Sequence, residues 1–536
     1  MPTDCITYQN SGYFTKLIVD YLDEKSALQQ FYNRFPKIEN FNPKISGQIE
    51  EKSINFNSND NVKRHVLVTE LQKQYQNFEV SPSTLNNIQL LNNSNTFTIT
   101  TGHQLNLFTG PLYFLYKIVS TINLCKELKQ TYPDFNFVPV YWMATEDHDF
   151  EEINYFNSKN GKVQWNKESF GPVGRLSTDG LDTVYEQFSA EIGIGENADY
   201  LKELFKKSYL EHTNLADATR FLANELFKKE GLVIIDGDSK ELKKLFIPFI
   251  KKELLEQSSY SNVLETNSKL ETYKIQVNPR EINLFYIEDN LRERIVFENN
   301  KYKINNTKIE FLEAEILNEL ENNPEKFSPN VILRPLYQEV ILPNLCYIGG
   351  GGELAYWLEL KSNFEANSIT FPMLLLRNSV VLATEKQVDK ADKLNLSWAD
   401  LFSNQQGLFN TKTTEFSKFT IDFSEQKNHL KKQFENLYTI ANQTDKSFLG
   451  AVKAQEIKQT KGLENLEKRL LKAEKRVHTD QLDRILLLQN ELFPNQSLQE
   501  RKLNFSVFYL EYGNLLIEKL LNELHPLSQE FKVVVL

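Results

Sequence analysis

Between residues 96 and 383 one pattern recurs: a short apolar run, a cluster of turn or polar residues, then helical periodicity, at once or after an insertion. The runs are "TFTITTGHQ" (96–104), "FNFVPVYWMATEDHD" (135–149), "GLVIIDGDS" (231–239) and "NLCYIGGGGE" (344–353). Each has the length of a buried strand, and three are rich in β-branched or aromatic residues. The helix after the first run is apolar on almost every side, through Tyr113, Leu115, Tyr116, Ile118, Val119, Ile122, Cys125 and Leu128, which predicts a central, buried helix. Thr109 is its expected N-cap, with Pro111 in its first turn. Strand, helix, strand at this spacing predicts βαβ units and a parallel sheet with right-handed crossovers. A fifth run, "FPMLLLRNSVVLA" (371–383), adds one or two strands. The expected fold class is α/β, with a Rossmann-like parallel sheet as its core.

Two insertions interrupt that core. Residues 155–230 are polar with Gly-containing turns and then become helical, whereas 272–312 alternate apolar with polar around turn signals, predicting a small antiparallel meander. From about 384 the texture changes to heptad-like seams: Leu430, Phe434, Leu437 and Ala441, then Leu463, Leu466, Leu470, Ala473 and Val477, continued by Ile485, Leu488 and Leu492. Val388, Ala391, Leu394, Trp398 and Leu401 predict a shorter helix. An antiparallel hairpin within one chain and a dimer contact both fit such seams. The expected layout is a core over 1–383, a helical coiled-coil domain over 384–502, and a terminal helix over 503–536 that packs back on the core.

Composition narrows the function. The chain has 536 residues, 40% hydrophobic and 25% charged, a globular balance whose length suggests roughly three domains. A net charge of −11 argues against nucleic acid as the main partner, because a phosphate-binding face needs a basic excess. No segment reaches the roughly 18 uncharged apolar residues of a membrane span. The start, "MPTDCITYQNSGYF", has no signal-peptide pattern, and Cys5, Cys125 and Cys346 are too few and too far apart for a disulfide framework. A cytoplasmic, reducing setting is expected, with no membrane partner.

In open parallel sheets ligands bind outside the carboxyl ends of the strands. His103 and Gln104 follow the first run, Glu146, Asp147, His148 and Asp149 the second, Asp236 and Asp238 the third, and Gly349 to Gly352 the fourth. His103 at that rim reads either as a turn histidine bonded to backbone or as a ligand group. The acids around His148 would raise its pKa, although "EDHDFEE" also suits a solvated helix start. A divalent metal on His103, His148 and a carboxylate is a weak alternative, and no metal is expected. The glycines let backbone approach an anion at a helix N-terminus, but they match neither a dinucleotide fingerprint nor a P-loop. Arg334, just after apolar residues, suits a carboxylate or phosphate, or else an ion pair with Glu339. Lys117, one turn into its helix, is similarly placed.

The segments "TGHQLNLFTGPLY", "VPVYWMATEDHDFEEIN", "VNPREINLFYI", "SPNVILRPLYQE", "LCYIGGGGELAYW" and "LFPNQSLQER" together resemble, in order and spacing, the bacillithiol biosynthesis cysteine-adding enzymes, the BshC family of cysteine ligases. The family commonly has Gln where His103 stands and often Pro at the position of Gly351. The resemblance implies a Rossmann core with two connecting segments and a coiled coil that mediates homodimers. It also implies a ligase that condenses cysteine with the amine of glucosaminyl-malate, the last step to bacillithiol. In that reading the catalytic candidates are His103, Asp147, His148 and Asp149, one of the last three taking the amine proton. Gln104, Asn106, Lys117, Glu146, Arg334, Tyr337, Gln338, Glu353 and Tyr356 are substrate-binding candidates, with cations for the malate carboxylates. Gly349, Gly350, Gly351 and Gly352 are the cofactor-binding candidates. The cofactor itself stays open, and ATP rests on fold analogy alone. The rivals are a metal-dependent hydrolase on the same core and a non-catalytic coiled-coil scaffold.

Overall fold

The computed structural model describes residues 6–54 and 60–536, with backbone only for 49–54. Cys5 lies outside the described residues. The chain forms two compact units, one built from Thr7–Leu382 with Gln499–Val534, the other from Ala383–Leu498.

The first unit is organised by a five-stranded parallel sheet. Strand β1 (Thr96–His103) leads through helix α1 (Tyr113–Thr131) to β2 (Asn136–Met143), and β3 (Val233–Asp236) follows the first insertion. After the second insertion come helix α2 (Leu333–Ile341), β9 (Asn344–Gly349), α3 (Gly351–Leu358) and β10 (Met373–Leu376), where β4 to β8 belong to that insertion. The order across the sheet is β10-β9-β1-β2-β3, with all neighbours parallel. Chain direction reverses its march between β1 and β9, so the switch point of the sheet lies there. Every residue of β1 and all but Asn136 of β2 are buried, as a sheet covered on both faces requires. Phe97, Ile99, Phe137, Cys346, Ile348 and Met373 pack one face with Leu124, Cys125 and Leu128 of α1. The two thiols are buried and free, and burial pushes both up.

Thr109 is not the N-cap of α1. Residues Leu107–Thr109 form a tight turn with Phe108 and Thr109 at positive φ, and the helix starts after Leu112 without a side-chain cap. That turn is held instead by Asn504, whose Nδ2 donates to the carbonyls of Phe108 (2.7 Å) and Gly110 (2.6 Å). The apolar run 371–383 divides: only Met373–Leu376 joins the parallel sheet, and Val380–Ala383 belongs to another.

The second insertion carries an antiparallel sheet of β4 (Leu284–Glu288), β5 (Leu291–Glu298), β6 (Lys301–Ile304), β7 (Glu310–Phe311) and β8 (Phe327–Pro329), ordered β7-β6-β5-β4-β8. It therefore recruits β8 from beyond the meander expected over 272–312. The expected terminal helix is two, Ser506–Tyr512 and Leu515–Glu523, broken at Gly513 with φ 56°. Asn123 of α1 donates to the carbonyls at the end of the second, Leu521 (2.9 Å) and Leu524 (2.7 Å).

In the other unit, helices α4 (Ser424–Ala441) and α5 (Lys446–Val477) form a hairpin, followed by α6 (Thr479–Leu492). Lys427 pairs with Glu467 at 2.7 Å and Tyr438 donates to Glu456 at 2.6 Å, so contacts advance along α4 as they retreat along α5: the pair is antiparallel. Phe434, Ala441 and Val452 are buried in it. Leu437, Leu466 and Val477 of the expected seams are exposed, because one hairpin covers only one side of so long a helix. The short helix expected across 388–401 is two, Glu385–Lys393 and Trp398–Phe402. Asn395 at φ 50° breaks it, and Ser397 caps the second piece through Asp400 N–H.

Candidate active site

Strand register gathers the site. His103 pairs with Met143, Met143 with Asp236, Thr101 with Ile348 and Gly349 with Leu376, so the carboxyl ends of the five strands share one rim. On it opens a cleft of about 450 Å³, at the switch point where such folds bind ligands. His103, Gln104, Lys117, Glu146, Asp147, Arg334, Glu353, Tyr356 and Gly350 to Gly352 all line it. Glycine at 349 serves packing instead: a Cβ there would lie 2.9 Å from Leu354 Cδ1 and 3.0 Å from both Glu353 Cβ and Tyr347 Cε1.

One wall is an ion pair between a buried lysine and a partly buried glutamate. Lys117 Nζ lies 2.6 Å from Glu353 Oε2 and donates to the Gly102 carbonyl at 2.7 Å. Glu353 also accepts from Gly350 N–H (2.7 Å) and Tyr347 OH (3.0 Å). Burial alone would raise Glu353, but Lys117 and these donors hold it below its usual range. Beside it, His103 is buried against Tyr113 and Phe114. Burial, reinforced by Lys117 and Arg377, pushes its imidazole well below the ordinary value. The ring is neutral at pH 7, and its Nε2 has no partner.

Arg334 enters from α2. Its guanidinium donates to Gln338 Oε1 (3.0 Å) and Tyr356 OH (3.4 Å) and lies over the Tyr347 ring, with no carboxylate in ion-pairing reach among the described residues. The ion pair with Glu339 does not form: Glu339 accepts from Gln338 and Asn344, both at 2.8 Å, and burial lifts it to about 7. A half-buried cation held only by neutral groups leaves its charge for an incoming anion.

The two acids opposite are not alike. For Asp147, burial works upward, but contacts with His148, Arg292 and Gln104 Nε2 (3.1 Å) hold it well below the carboxylate range. Glu146 is raised by burial, with Asp238 adding to it, although Lys243 pairs with it. Glu146 therefore has the better basicity, and Asp147 is a fixed negative charge.

Several expectations need correcting. His148 is half exposed outside the cleft, and its Nδ1 faces both a cation and one acid, Arg292 Nη1 at 2.7 Å and Asp147 Oδ1 at 3.5 Å. Asp149 is exposed at the start of a short helix, away from the cleft. Tyr337 is fully buried, donating to the Gly237 carbonyl at 2.8 Å and backing Trp142, so it supports the wall without reaching a ligand. Gln338, equally buried, acts on Arg334. Asn106 lines a neighbouring cavity. Asp236 and Asp238 face another cavity, where Asp238 takes both arms of Arg175 at 2.7 and 2.9 Å.

Arg292, Arg377, Arg501, Tyr113, Tyr347 and Asn330 line the cleft and were missed. A signal existed for Arg377, which ends an apolar strand as Arg334 follows an apolar stretch. None existed for Arg292, one of several charges in β5. Among the described residues no group of three or more His, Cys, Asp or Glu side chains could hold a metal ion, so the alternative of a divalent metal on His103, His148 and a carboxylate is not assembled. No helix among them is long and apolar enough to cross a membrane.

Comparison with known sequences adds an independent line. The family described as "Bacillithiol biosynthesis BshC, N-terminal Rossmann-like domain" matches residues 1–378, and "Bacillithiol biosynthesis BshC, C-terminal coiled-coil domain" matches 380–536. Proteins named "Putative cysteine ligase BshC" from Flavobacterium psychrophilum and Flavobacterium johnsoniae are each 66% identical over 534 residues, covering 100% of this chain and 99% and 100% of theirs. One of the same name from Cytophaga hutchinsonii is 39% identical, covering 97% of this chain and 96% of its own.

Proposed function

The chain belongs to the bacillithiol biosynthesis BshC family, and from that premise we propose a ligase that joins the carboxyl of cysteine to the amine of glucosaminyl-malate, giving bacillithiol. The observation that carries this reading is the half-buried Arg334, free of any carboxylate partner among the described residues, lining one cleft with Glu146 and Asp147. A cation for carboxylate and a carboxylate pair for ammonium are what the joining of two zwitterionic or anionic metabolites requires.

In this reading Glu146 takes the proton that the sugar ammonium must lose before nitrogen can attack, since its raised pKa makes it the stronger base. Asp147, fixed as a carboxylate, holds the ammonium that cysteine keeps. Arg334 orients a substrate carboxylate, with Gln338 and Tyr356 setting its plane.

A carboxylate and an ammonium do not condense unaided, so the carboxyl oxygen must become a leaving group. A nucleoside triphosphate would supply that chemistry. The residues fit one: neutral His103, the Gly350 to Gly352 backbone at the start of α3, and Arg377, whose Nε has no partner. We propose ATP as the activating co-substrate on that fit.

A homodimer through the coiled-coil unit also belongs to this proposal, supported by Leu437, Ile440, Ile457, Leu466 and Val477, which are exposed on the α4–α5 hairpin. A reaction whose substrate and product both carry a free thiol suits the reducing cytoplasm.

Reconstitution tests the activity: purified protein with cysteine, glucosaminyl-malate and labelled ATP is expected to yield bacillithiol together with AMP or ADP, read by mass spectrometry. Product without nucleotide turnover removes the ATP step. No product, with no glucosaminyl-malate accumulating in a deletion strain, overturns the ligase reading.

A further inference from the structure

The segment "LQERKLN" (498–504) brings two charges to the site that the chemistry above leaves unused. Nearly every residue of it is pinned, through side chain or backbone. Gln499 exchanges hydrogen bonds with both backbone groups of Leu382, each at 3.0 Å. Glu500, fully buried, accepts from the Arg377 guanidinium (2.7 Å), the Ser379 hydroxyl and Val380 N–H. The Lys502 carbonyl accepts from Asn157 Nδ2 at 2.8 Å, and the Leu503 carbonyl from Leu112 N–H at 2.8 Å. Asn504 closes the segment on the Phe108 and Gly110 carbonyls.

Between these anchors the side chains of Arg501 and Lys502 are exposed and make neither ion pair nor hydrogen bond among the described residues. A backbone this constrained fixes where the charges stand while leaving both free, the preorganised condition for binding an anion at low entropic cost. Both border a cavity of about 310 Å³, walled also by Tyr113, Tyr155 and Asn106. It adjoins the main cleft through Gln104, Tyr113 and Arg501, which line both. Gln104 marks the boundary: its Nε2 donates to Asp147 on the cleft side and to Glu152 (3.0 Å) on the other. Glu152 is the one acid in the side cavity, and the Gln104 contact turns it toward the partition.

We propose that this side cavity is the subsite for the carboxylate-bearing end of the amine substrate, held by Arg501 and Lys502, while the amine lies past Gln104 beside Glu146 and Asp147. The proposal rests on the ligase reading and adds which residues select the acceptor.

Its test uses the full-length chain and the double variant Arg501→Ala, Lys502→Ala, whose exposed side chains leave folding intact. The expected result is an acceptor KM raised about tenfold or more, as loss of charge-assisted contacts implies, with the KM values of cysteine and ATP within about twofold of wild type. Methyl glucosaminide, which has the amine and no carboxylates, should be used equally by both proteins. Equal losses with both acceptors, or a loss confined to ATP, overturn the subsite. Calorimetric titration with glucosaminyl-malate reads the same site without turnover: affinity unchanged in the double variant overturns it even if the ligase reading fails, whereas weakened binding with no product upholds the subsite and strikes the reaction.

Discussion

Glu146 and Asp147 are adjacent in sequence yet face different electrostatic surroundings. Burial lifts Glu146, while His148, Arg292 and Gln104 hold Asp147 down. A base works only when deprotonated, so the rate should fall as pH drops through the raised Glu146 pKa. In Glu146→Gln, kcat should fall by about 10²–10⁴-fold and the acid limb of the pH–rate profile should vanish. An unchanged limb would assign it elsewhere. His103 gives a stability prediction of definite sign. Its folded pKa lies well below the ordinary value of about 6.5, so below that pH the unfolded chain binds a proton the folded one refuses, and stability falls. His103→Gln should therefore flatten the decline in Tm between pH 7 and pH 5, measured by calorimetry against wild type.

The strand ends and the turns after them were readable from alternation and punctuation, because a buried strand must be apolar and must stop where polar residues begin. Element boundaries missed where a tertiary partner decides: Thr109 lost its cap role to a turn that Asn504 stabilises from far along the chain. The glycine loop "GGGGE" also divides on inspection. Gly349 is enclosed by Leu354, Glu353 and Tyr347, whereas nothing lies within 4 Å of a Cβ at Gly352. Gly349→Ala should lower stability by about 1–3 kcal/mol through overpacking, and Gly352→Ala, in the first turn of α3, should change it by less than about 1 kcal/mol. Thermal denaturation of the two variants makes the comparison. Similar Tm losses would mean that the loop's flexibility, and not its packing, demands glycine.

At the scale of the whole molecule, charge is unevenly placed. The chain carries −11, yet Lys117, Arg292, Arg334, Arg377 and Arg501 border the cleft against Glu146, Asp147 and Glu353. Anionic metabolites thus meet a basic opening in an acidic protein, which favours their entry and keeps the surface soluble. The α4–α5 hairpin leaves Ile457 and Leu466 exposed at 46% and 52%, a liability unless another surface covers them. Ile457→Glu with Leu466→Glu is expected to turn a dimer into a monomer in sedimentation analysis without lowering the Tm of the core. A wild-type monomer at micromolar concentration would remove the dimer.

Local pattern settled that five apolar runs form strands and which groups follow their carboxyl ends, because alternation and turn chemistry act over a few residues. It also carried the family resemblance. Strand order was a tertiary matter: parallel pairing is made by backbone groups that carry no label, so only packing put β9 beside β1 and the glycine loop beside His103. Arg292 and Arg501 reached the cleft from an insertion and from the chain's last segment by the same route. The difference in basicity between Glu146 and Asp147 was likewise decided by folding, since a carboxylate's basicity depends on the charges and solvent that the fold places around it.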